Sequence, residues 1–180
     1  MQSSIIGSSS LTAPRVAALI GRLYADAEAS DAQLRQLFGS LSPEERARRM
    51  ASTDYRAFYH GAKEAYLAVS ADTARLLYML ARATGARAIV EFGTSFGIST
   101  IHLAAALRDN GGGRLIGSEL EPAKTARARA NLEEAGLSDL VEVREGDALE
   151  TLARDLPNSI DLVLLDGHKP LYPRVLDLLE

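Results

Sequence analysis

The sequence predicts an α/β protein with a doubly wound, mostly parallel sheet that follows a set of N-terminal helices. Two observations carry this prediction. From residue 88 onward, short apolar runs alternate with segments of helical periodicity, which is the pattern of β-α-β units. The run over residues 161–165 is apolar on both faces, as expected for a strand that helices cover on both sides.

The front of the chain predicts helices and no strand. Apolar spacing is helical from residue 12 to about residue 41, with an interruption at Ser30 and Asp31, where a helix N-cap is expected. Ser42, Pro43 and Glu45 form a capping box with proline at the first helical position. A further helix is predicted over residues 73–83, with Gly85 as its C-cap.

The alternating part follows this front segment and predicts four strands. We therefore divide the chain into an N-terminal helical segment, residues 1–65, acting as a dimer interface or a lid, and a sheet domain, residues 66–180. The predicted strands are 88–92, 115–119, 141–145 and 160–166, and the helices between and after them are 99–108, 122–135, 149–156 and 172–180.

The composition of the chain indicates a globular protein and argues against several classes of site and partner. The 180 residues, 47% hydrophobic and 24% charged, suit one globular domain. There is no cysteine, which excludes disulfides and thiolate metal sites. A net charge of −4 without a basic cluster argues against nucleic acid as a partner. No apolar run approaches the roughly 20 residues that span a bilayer, and no signal peptide is recognisable, so no membrane association and a cytoplasmic location are expected.

The turn after the first strand predicts a binding site for a nucleoside cofactor. Glu91 ends that strand, and Gly93 and Gly97 are separated by Thr94, Ser95 and Phe96, which is not the spacing of a dinucleotide fingerprint. About two dozen residues later the second strand ends in Glu119, where a carboxylate is placed to hydrogen-bond ribose hydroxyls.

These motifs resemble the class I S-adenosylmethionine-dependent methyltransferases. The resemblance rests on the E-x-G-x-x-x-G turn, on Glu119, on Gly146-Asp147-Ala148 and on Asp166, and it covers the chain from about residue 70 to residue 180. It implies a Rossmann-like sheet of seven strands, so the C-terminal strands are expected to be missing from this chain. It also implies S-adenosyl-L-methionine as the cofactor.

Within that class, three segments resemble the cation-dependent O-methyltransferases of the catechol and caffeoyl-CoA type. They are the turn at residues 91–99, the entry to the first core helix at Ser70, and residues 165–172, which resemble a D-x-x-K-x-x-Y motif. The resemblance implies that Asp166 binds a divalent cation such as Mg²⁺. It also implies that Lys169 is the catalytic base; a solvated lysine at a helix start is the alternative. The two other metal ligands of that family, an Asp-Asn pair, have no match in this chain.

The remaining residue roles concern the cofactor. We expect Gly93 to allow close approach of the backbone, Ser99 to bind the methionine carboxylate, and Glu91 either to anchor the turn or to meet the methionine amino group. The resemblance assigns Asp147 to the adenine amino group, although it can also cap the following helix. Lesser contacts are expected from Ser70, Thr94, Ser95, Ala148, Asp166 and His168.

The sequence thus predicts an O-methyltransferase that acts on a phenolic or catechol-like hydroxyl of a small molecule, as a homodimer. N-methylation is a weaker alternative, because the turn at Asp166 is not the Asn/Asp-Pro-Pro-Tyr of that class. A cofactor-binding module without catalysis is the third. The 180-residue chain alone is expected to have little activity, since half of the implied metal site has no counterpart in it.

Overall fold

The computed structural model describes residues 9–50 and 54–180. Residues 1–8 and 51–53 of the predicted N-terminal segment lie outside this description. The front of the described chain is helical, as predicted. After a 3₁₀ turn at Ser10–Thr12 come four helices: α1 (Pro14–Gly39), α2 (Pro43–Met50), α3 (Tyr55–Gly61) and α4 (Ala71–Ala83).

The second part of the chain forms a parallel sheet of four strands in the order β3-β2-β1-β4, which confirms the predicted fold class. In chain order the elements are β1 (Ala88–Phe92), α5 (Ile98–Asp109), β2 (Arg114–Glu119), α6 (Pro122–Ala135), β3 (Val141–Glu145), α7 (Ala148–Thr151), β4 (Leu162–Leu165) and α8 (Tyr172–Leu179). Because all four strands are parallel, their carboxyl ends meet at one edge, and β1 lies between β2 and β4.

Helices cover the sheet on both faces, and alternate residues of β1 point to opposite layers. Ile89 packs into the layer that holds Leu19 and Ile101, whereas Val90 packs into the layer that holds Leu152. The first layer includes residues of α1, α4, α5 and α6, and the second includes residues of α7 and α8. Each fully buried leucine or isoleucine contributes about 1.5–3 kcal/mol relative to exposure.

The predicted break in the first helix is wrong, because α1 runs through Ser30 and Asp31 without interruption. The Asp31 carboxylate does not cap a helix. Instead it accepts hydrogen bonds from the backbone N–H groups of Tyr66 at 2.7 Å and Leu67 at 3.4 Å. The carboxylate that the local pattern assigned to a helix N-cap therefore binds backbone groups more than 30 positions further along the chain.

The two local end signals are confirmed. In the capping box, the Ser42 N–H donates to Glu45 at 3.0 Å and the Glu45 N–H donates to the Ser42 hydroxyl at 3.1 Å. Helix α4 ends at Ala83 with Thr84 as its C-cap, and Gly85 follows with the predicted terminating role: its φ is 63°, and the Ala86 N–H donates to the Ala81 carbonyl in a Schellman arrangement.

Helix α7 is shorter than predicted and ends at Thr151. The Arg144 guanidinium donates to the carbonyls of Thr151, Arg154 and Asp155 at 2.6–3.0 Å, and so satisfies acceptors that further helical turns would have used. Helix α3 was not predicted. Its N-cap is Asp54, whose carboxylate accepts from the Ala57 N–H at 3.2 Å.

Candidate active site

The carboxyl ends of β1, β2 and β4 open into a cavity of about 710 Å³. This volume lies within the range of about 300–1,000 Å³ that is typical of small-molecule sites, and the edge of a parallel sheet is where such sites occur. The structure brings eight of the predicted site residues to its wall: Gly93, Thr94, Ser95, Ser99, Glu119, Asp166, His168 and Lys169.

A second, much smaller cavity of about 40 Å³ adjoins the first. The two share the wall residues Tyr59, Gly93, Glu119, Gly167 and His168. Asp147 and Ala148 line the small cavity and not the large one. The predicted residues therefore form two connected compartments, with Glu119 on the boundary between them.

Glu91 lies beneath the turn and is fully buried. Its carboxylate accepts hydrogen bonds from the hydroxyls of Ser99 and Thr100, both at 2.6 Å, and of Thr94 at 3.0 Å. Burial raises the pKa of Glu91 from 4.5 to about 7, and the three hydroxyl donors oppose that rise. Glu91 lines neither cavity, so of its two predicted roles the geometry favours anchoring of the turn.

Gly93 is required by the protein's own backbone. Its φ is 100°, and a Cβ atom at this position would lie 2.8 Å from the carbonyl of Asp166 and 2.9 Å from the N atom of Gly167. The end of β4 therefore passes directly beside the turn. In the adjacent strand, Gly117 leaves space for the Thr94 hydroxyl, which a Cβ atom would overlap.

Glu119 stands at the end of β2 and is 8% exposed. One carboxylate oxygen accepts from the Ser95 N–H at 2.7 Å, and the other accepts from the Glu121 N–H at 2.9 Å. These backbone donors fix the side chain at the junction of the two cavities. Each oxygen keeps acceptor capacity for a further donor.

Asp147 caps α7 and is bound by helix α3. One oxygen accepts from the Leu149 N–H at 3.0 Å, and the other accepts from the Tyr55 hydroxyl and from Arg56 at 2.7 Å. Burial acts to raise the pKa of Asp147, but the hydrogen bonds from Tyr55 and Arg56 outweigh it and hold the pKa below its usual value. The helix-capping role foreseen for Asp147 is confirmed.

Aromatic side chains of α3 close over His168. The Tyr55 ring stacks on the imidazole with centroids 5.3 Å apart, and the Tyr59 ring meets it edge-on at 6.2 Å. Burial, with smaller contributions from nearby ionisable groups that include Glu119 and Asp166, raises the pKa of Tyr59 to about 12. Tyr59 therefore stays neutral at physiological pH.

Asp166 and Lys169 lie at the mouth of the large cavity. Burial raises the pKa of Asp166, and the positive charge of Lys169 opposes that rise. The Lys169 side chain is exposed, with Nζ 5.9 Å from the centroid of the Tyr172 ring. Within residues 9–50 and 54–180 no group of three or more His, Asp or Glu side chains is arranged to hold a metal ion.

The structure does not bring Ser70 to either cavity. It is the N-cap of α4, and its hydroxyl accepts from the Thr73 N–H at 3.1 Å.

Comparison with known proteins identifies the family to which these site residues belong. Residues 90–180, which contain the turn, Glu119, Asp147 and Asp166, match the family described as a methyltransferase domain. The chain belongs to this methyltransferase family. The matched residues form the last three residues of β1, strands β2 to β4, and the helices between and after these strands.

Relatives of this methyltransferase domain carry O-methyltransferase names. The catechol O-methyltransferase of Mycobacterium tuberculosis is 42% identical over 103 residues, which are 57% of this chain and 46% of that protein. The O-methyltransferase TomG of Streptomyces achromogenes, solved with SAM, is 35% identical with a TM-score of 0.59, covering 85% of this chain and 67% of that one. The O-methyltransferase of Bacillus cereus, solved with SAH, is 29% identical with a TM-score of 0.61, covering 83% and 66%. The chain spans about half the length of curated relatives that it matches.

Sequence reasoning missed several residues of the cavity wall. Tyr59 and Tyr66 line the large cavity, and the Tyr66 ring stacks on Phe96 at 4.1 Å. Lys124 also lines it while only 2% exposed, and burial lowers its pKa. The aromatic run at residues 55–60 was the one local signal, since three tyrosine or phenylalanine rings within a short polar stretch are unusual for a surface helix.

None of the helices in the described part of the domain combines the length and the apolar character needed to cross a bilayer.

Proposed function

We propose that this chain is the S-adenosylmethionine-binding part of an O-methyltransferase that acts on a hydroxyl group of a small molecule. The proposal rests on one observation: the turn anchored by Glu91 lies next to the Glu119 carboxylate, at the boundary of the two cavities. The SAM and SAH complexes of the two structural relatives support it.

The large cavity suits the methionine end of the cofactor. Helix α5 begins at the cavity wall, and the N–H groups of its first turn have no intrahelical acceptor and carry the positive end of the helix dipole. They would receive the methionine carboxylate. The Ser99 hydroxyl already donates to Glu91, so we assign the contact at this position to the backbone N–H and not to the hydroxyl.

Glu119 and the small cavity suit the nucleoside end. The free acceptor capacity of the Glu119 carboxylate would take both ribose hydroxyls. Asp147 would accept from the adenine amino group, with Ala148 and His168 beside the ring. Occupation of this end requires rearrangement of α3, because 40 Å³ is too small for a purine and Tyr55 and Arg56 hold Asp147.

The cofactor, when bound, supplies an electrophilic methyl group, and the protein's part is to orient the acceptor and remove its proton. Phe58, Tyr59 and Pro170 give the wall near Lys169 an apolar character suited to a phenolic or catechol-like ring. Lys169, which lines the cavity, would accept the proton of the acceptor hydroxyl as the general base.

A divalent cation such as Mg²⁺ is part of the proposal only through Asp166. Among the described residues no group of three or more His, Asp or Glu side chains is arranged to hold a metal ion, so we derive no catalytic step through a metal. Asp166 would provide one oxygen ligand, and Mg²⁺ commonly keeps several waters beside one or two carboxylates.

We also propose a homodimer that uses the N-terminal half of the chain. Leu76, Met79 and Leu80 form one exposed apolar face of α4, with 52%, 62% and 45% of their surfaces exposed. Their spacing places them on a single side of the helix, which is the arrangement of a helix that packs against a partner.

Isothermal titration calorimetry tests the cofactor assignment. We expect the chain to bind SAH and not NAD, and Glu119→Ala to weaken SAH binding at least tenfold, since a hydrogen bond to a charged group contributes about 1.5–3 kcal/mol. Glu145→Ala is the matched control, because Glu145 ends the neighbouring strand, is exposed and lines neither cavity. Unchanged SAH affinity in Glu119→Ala would contradict the ribose assignment.

A product assay tests the catalytic part. In the active protein, Lys169→Ala should lower kcat at least a hundredfold, the usual loss for a general base, with SAH affinity within a factor of about two. Turnover should fall in excess chelator. Full turnover with chelator would remove the cation from the proposal, and full turnover of Lys169→Ala would leave Lys169 as a surface residue.

A further inference from the structure

Asp31 links the N-terminal helix α1 to the wall of the large cavity. A single oxygen of its carboxylate accepts from the N–H groups of Tyr66 and Leu67, which are 35 and 36 positions further along the chain. Asp31 itself lines the cavity, as do Tyr66 and Leu67. The carboxylate therefore fixes a short piece of backbone at the site.

That piece of backbone has an unfavourable conformation. Leu67 has a φ of 49°, and Ser95, whose hydroxyl binds the carbonyl of the adjacent Tyr66, has a φ of 48°. A residue other than glycine is disfavoured in this region and persists there only when its surroundings impose it. Two such residues occur in one hydrogen-bonded group, because the Ser95 hydroxyl donates to the Tyr66 carbonyl at 2.6 Å.

The same group continues to Glu119. The Ser95 N–H donates to a Glu119 oxygen at 2.7 Å, so Ser95 holds the 66–67 backbone with its side chain and Glu119 with its main chain. The hydrogen bonds run from Asp31 through residues 66–67 and Ser95 to Glu119 without interruption. Stacking of the Tyr66 ring on Phe96, the residue after Ser95, reinforces this path.

We propose that Asp31 is a positioning residue for cofactor binding, which fixes the backbone at residues 66–67 and, through Ser95, the orientation of the Glu119 carboxylate. The inference rests on the proposed function for its ligand, the ribose of SAM or SAH. In this proposal α1 contributes to the binding site indirectly, without contact between its residues and the nucleoside.

The first experiment needs no ligand. Hydrogen–deuterium exchange of the Ser95 amide reports whether its bond to Glu119 is held, because local opening sets the exchange rate. Asp31→Ala should speed exchange at Ser95 at least fivefold. Asp31→Asn should stay within twofold of the parent, since its amide oxygen can still accept from both N–H groups.

Asp26→Ala is the matched control. Asp26 lies on the same helix, and its carboxylate contacts the Tyr66 hydroxyl at 3.4 Å, at the far end of that side chain and away from the backbone. Exchange at Ser95 should be unchanged in this variant. Equal acceleration in Asp26→Ala and Asp31→Ala would show general loosening of α1 and would overturn the inference.

The second experiment is a double-mutant cycle on SAH affinity by calorimetry. Asp31→Ala should weaken binding about tenfold in the parent and less than twofold in a Ser95→Ala background, because coupled residues are not additive. An effect of Asp31→Ala that persists in full without the Ser95 hydroxyl would overturn the path through Ser95.

The outcomes separate the two proposals. A parent chain that binds no SAH contradicts the proposed function, while exchange at Ser95 still decides the role of Asp31. Unchanged exchange in Asp31→Ala contradicts the positioning role whatever the parent binds. Should Asp31→Ala fail to fold, Ser95→Ala alone interrupts the path one step later. It should then speed exchange at residue 95 and weaken SAH binding, and parent-like values for both would refute the inference.

Discussion

The buried Glu91 carboxyl should make the stability of this protein fall as pH rises. Its pKa is about 7 in the folded protein against an ordinary value of 4.5, because burial disfavours the charged form more than three hydroxyl donors favour it. The folded state then holds the proton more tightly than the unfolded chain does. The stabilisation is complete below pH 4.5 and is lost as pH rises through about 7.

The magnitude follows from the pKa values. One pKa unit corresponds to about 1.4 kcal/mol, so the full shift is worth about 3 kcal/mol, and most of it falls between pH 5 and pH 8. Glu91→Gln removes the titration while its amide keeps the size of the carboxyl, and the three hydroxyls can rotate to suit it.

Urea unfolding at pH 5, 6, 7 and 8 measures this contribution. The free energy of unfolding of the parent, minus that of Glu91→Gln, should fall by about 2–3 kcal/mol from pH 5 to pH 8. Glu28→Gln, at an exposed position of α1, is the matched control for the loss of a carboxylate. A flat difference for Glu91→Gln would refute the reasoning, because the carboxyl would then titrate alike in the folded and unfolded states.

Three further outcomes are expected. Gly93→Ala should lower the free energy of unfolding by at least about 2 kcal/mol, because the new Cβ would lie 2.8 Å from the Asp166 backbone, whereas Gly85→Ala, with a φ of 63° and open space around it, should lower it by about 1 kcal/mol; equal values for the two would contradict the close contact. Tyr55→Phe should tighten SAH binding at least twofold by calorimetry, because the Asp147 carboxylate loses a competing donor; weaker binding would show that the Tyr55 hydroxyl assists the nucleoside. Light scattering should give the mass of a dimer, and a charged residue on the exposed apolar face of α4 should give a monomer; a monomeric parent would contradict the dimer.

The sheet could be predicted because its signals are local. The bounds of β1, α6 and β3 agree with the prediction, and Pro122 and Gly136 mark the ends of α6. The carboxyl ends of parallel strands meet at one edge, so Gly93 and Glu119 could be placed together from their positions alone. The predicted positions were most accurate for residues that the end of a single strand places.

The rest of the site depends on contacts between distant segments. Asp31 carries a capping signal in the sequence, yet its partners are backbone groups at residues 66–67. Tyr55 gives no sign in the sequence that its hydroxyl binds Asp147. The sequence predicts that Ser99 contacts the ligand, but in the structure the Ser99 hydroxyl donates to Glu91. Each of these contacts depends on how α1, α3 and the turn pack, which no local pattern specifies.

The two acidic residues at opposite ends of the site, Glu91 and Asp147, differ in the origin of their donors. The donors to Glu91 come from its own turn and the helix that follows, so that end keeps its shape while it is empty. Two donors to Asp147 come from α3, a separate element that a purine would have to displace. A ligand of the proposed kind would therefore dock at the turn first and complete its binding only as α3 yields. Association should then be biphasic, with a second phase whose rate does not depend on ligand concentration.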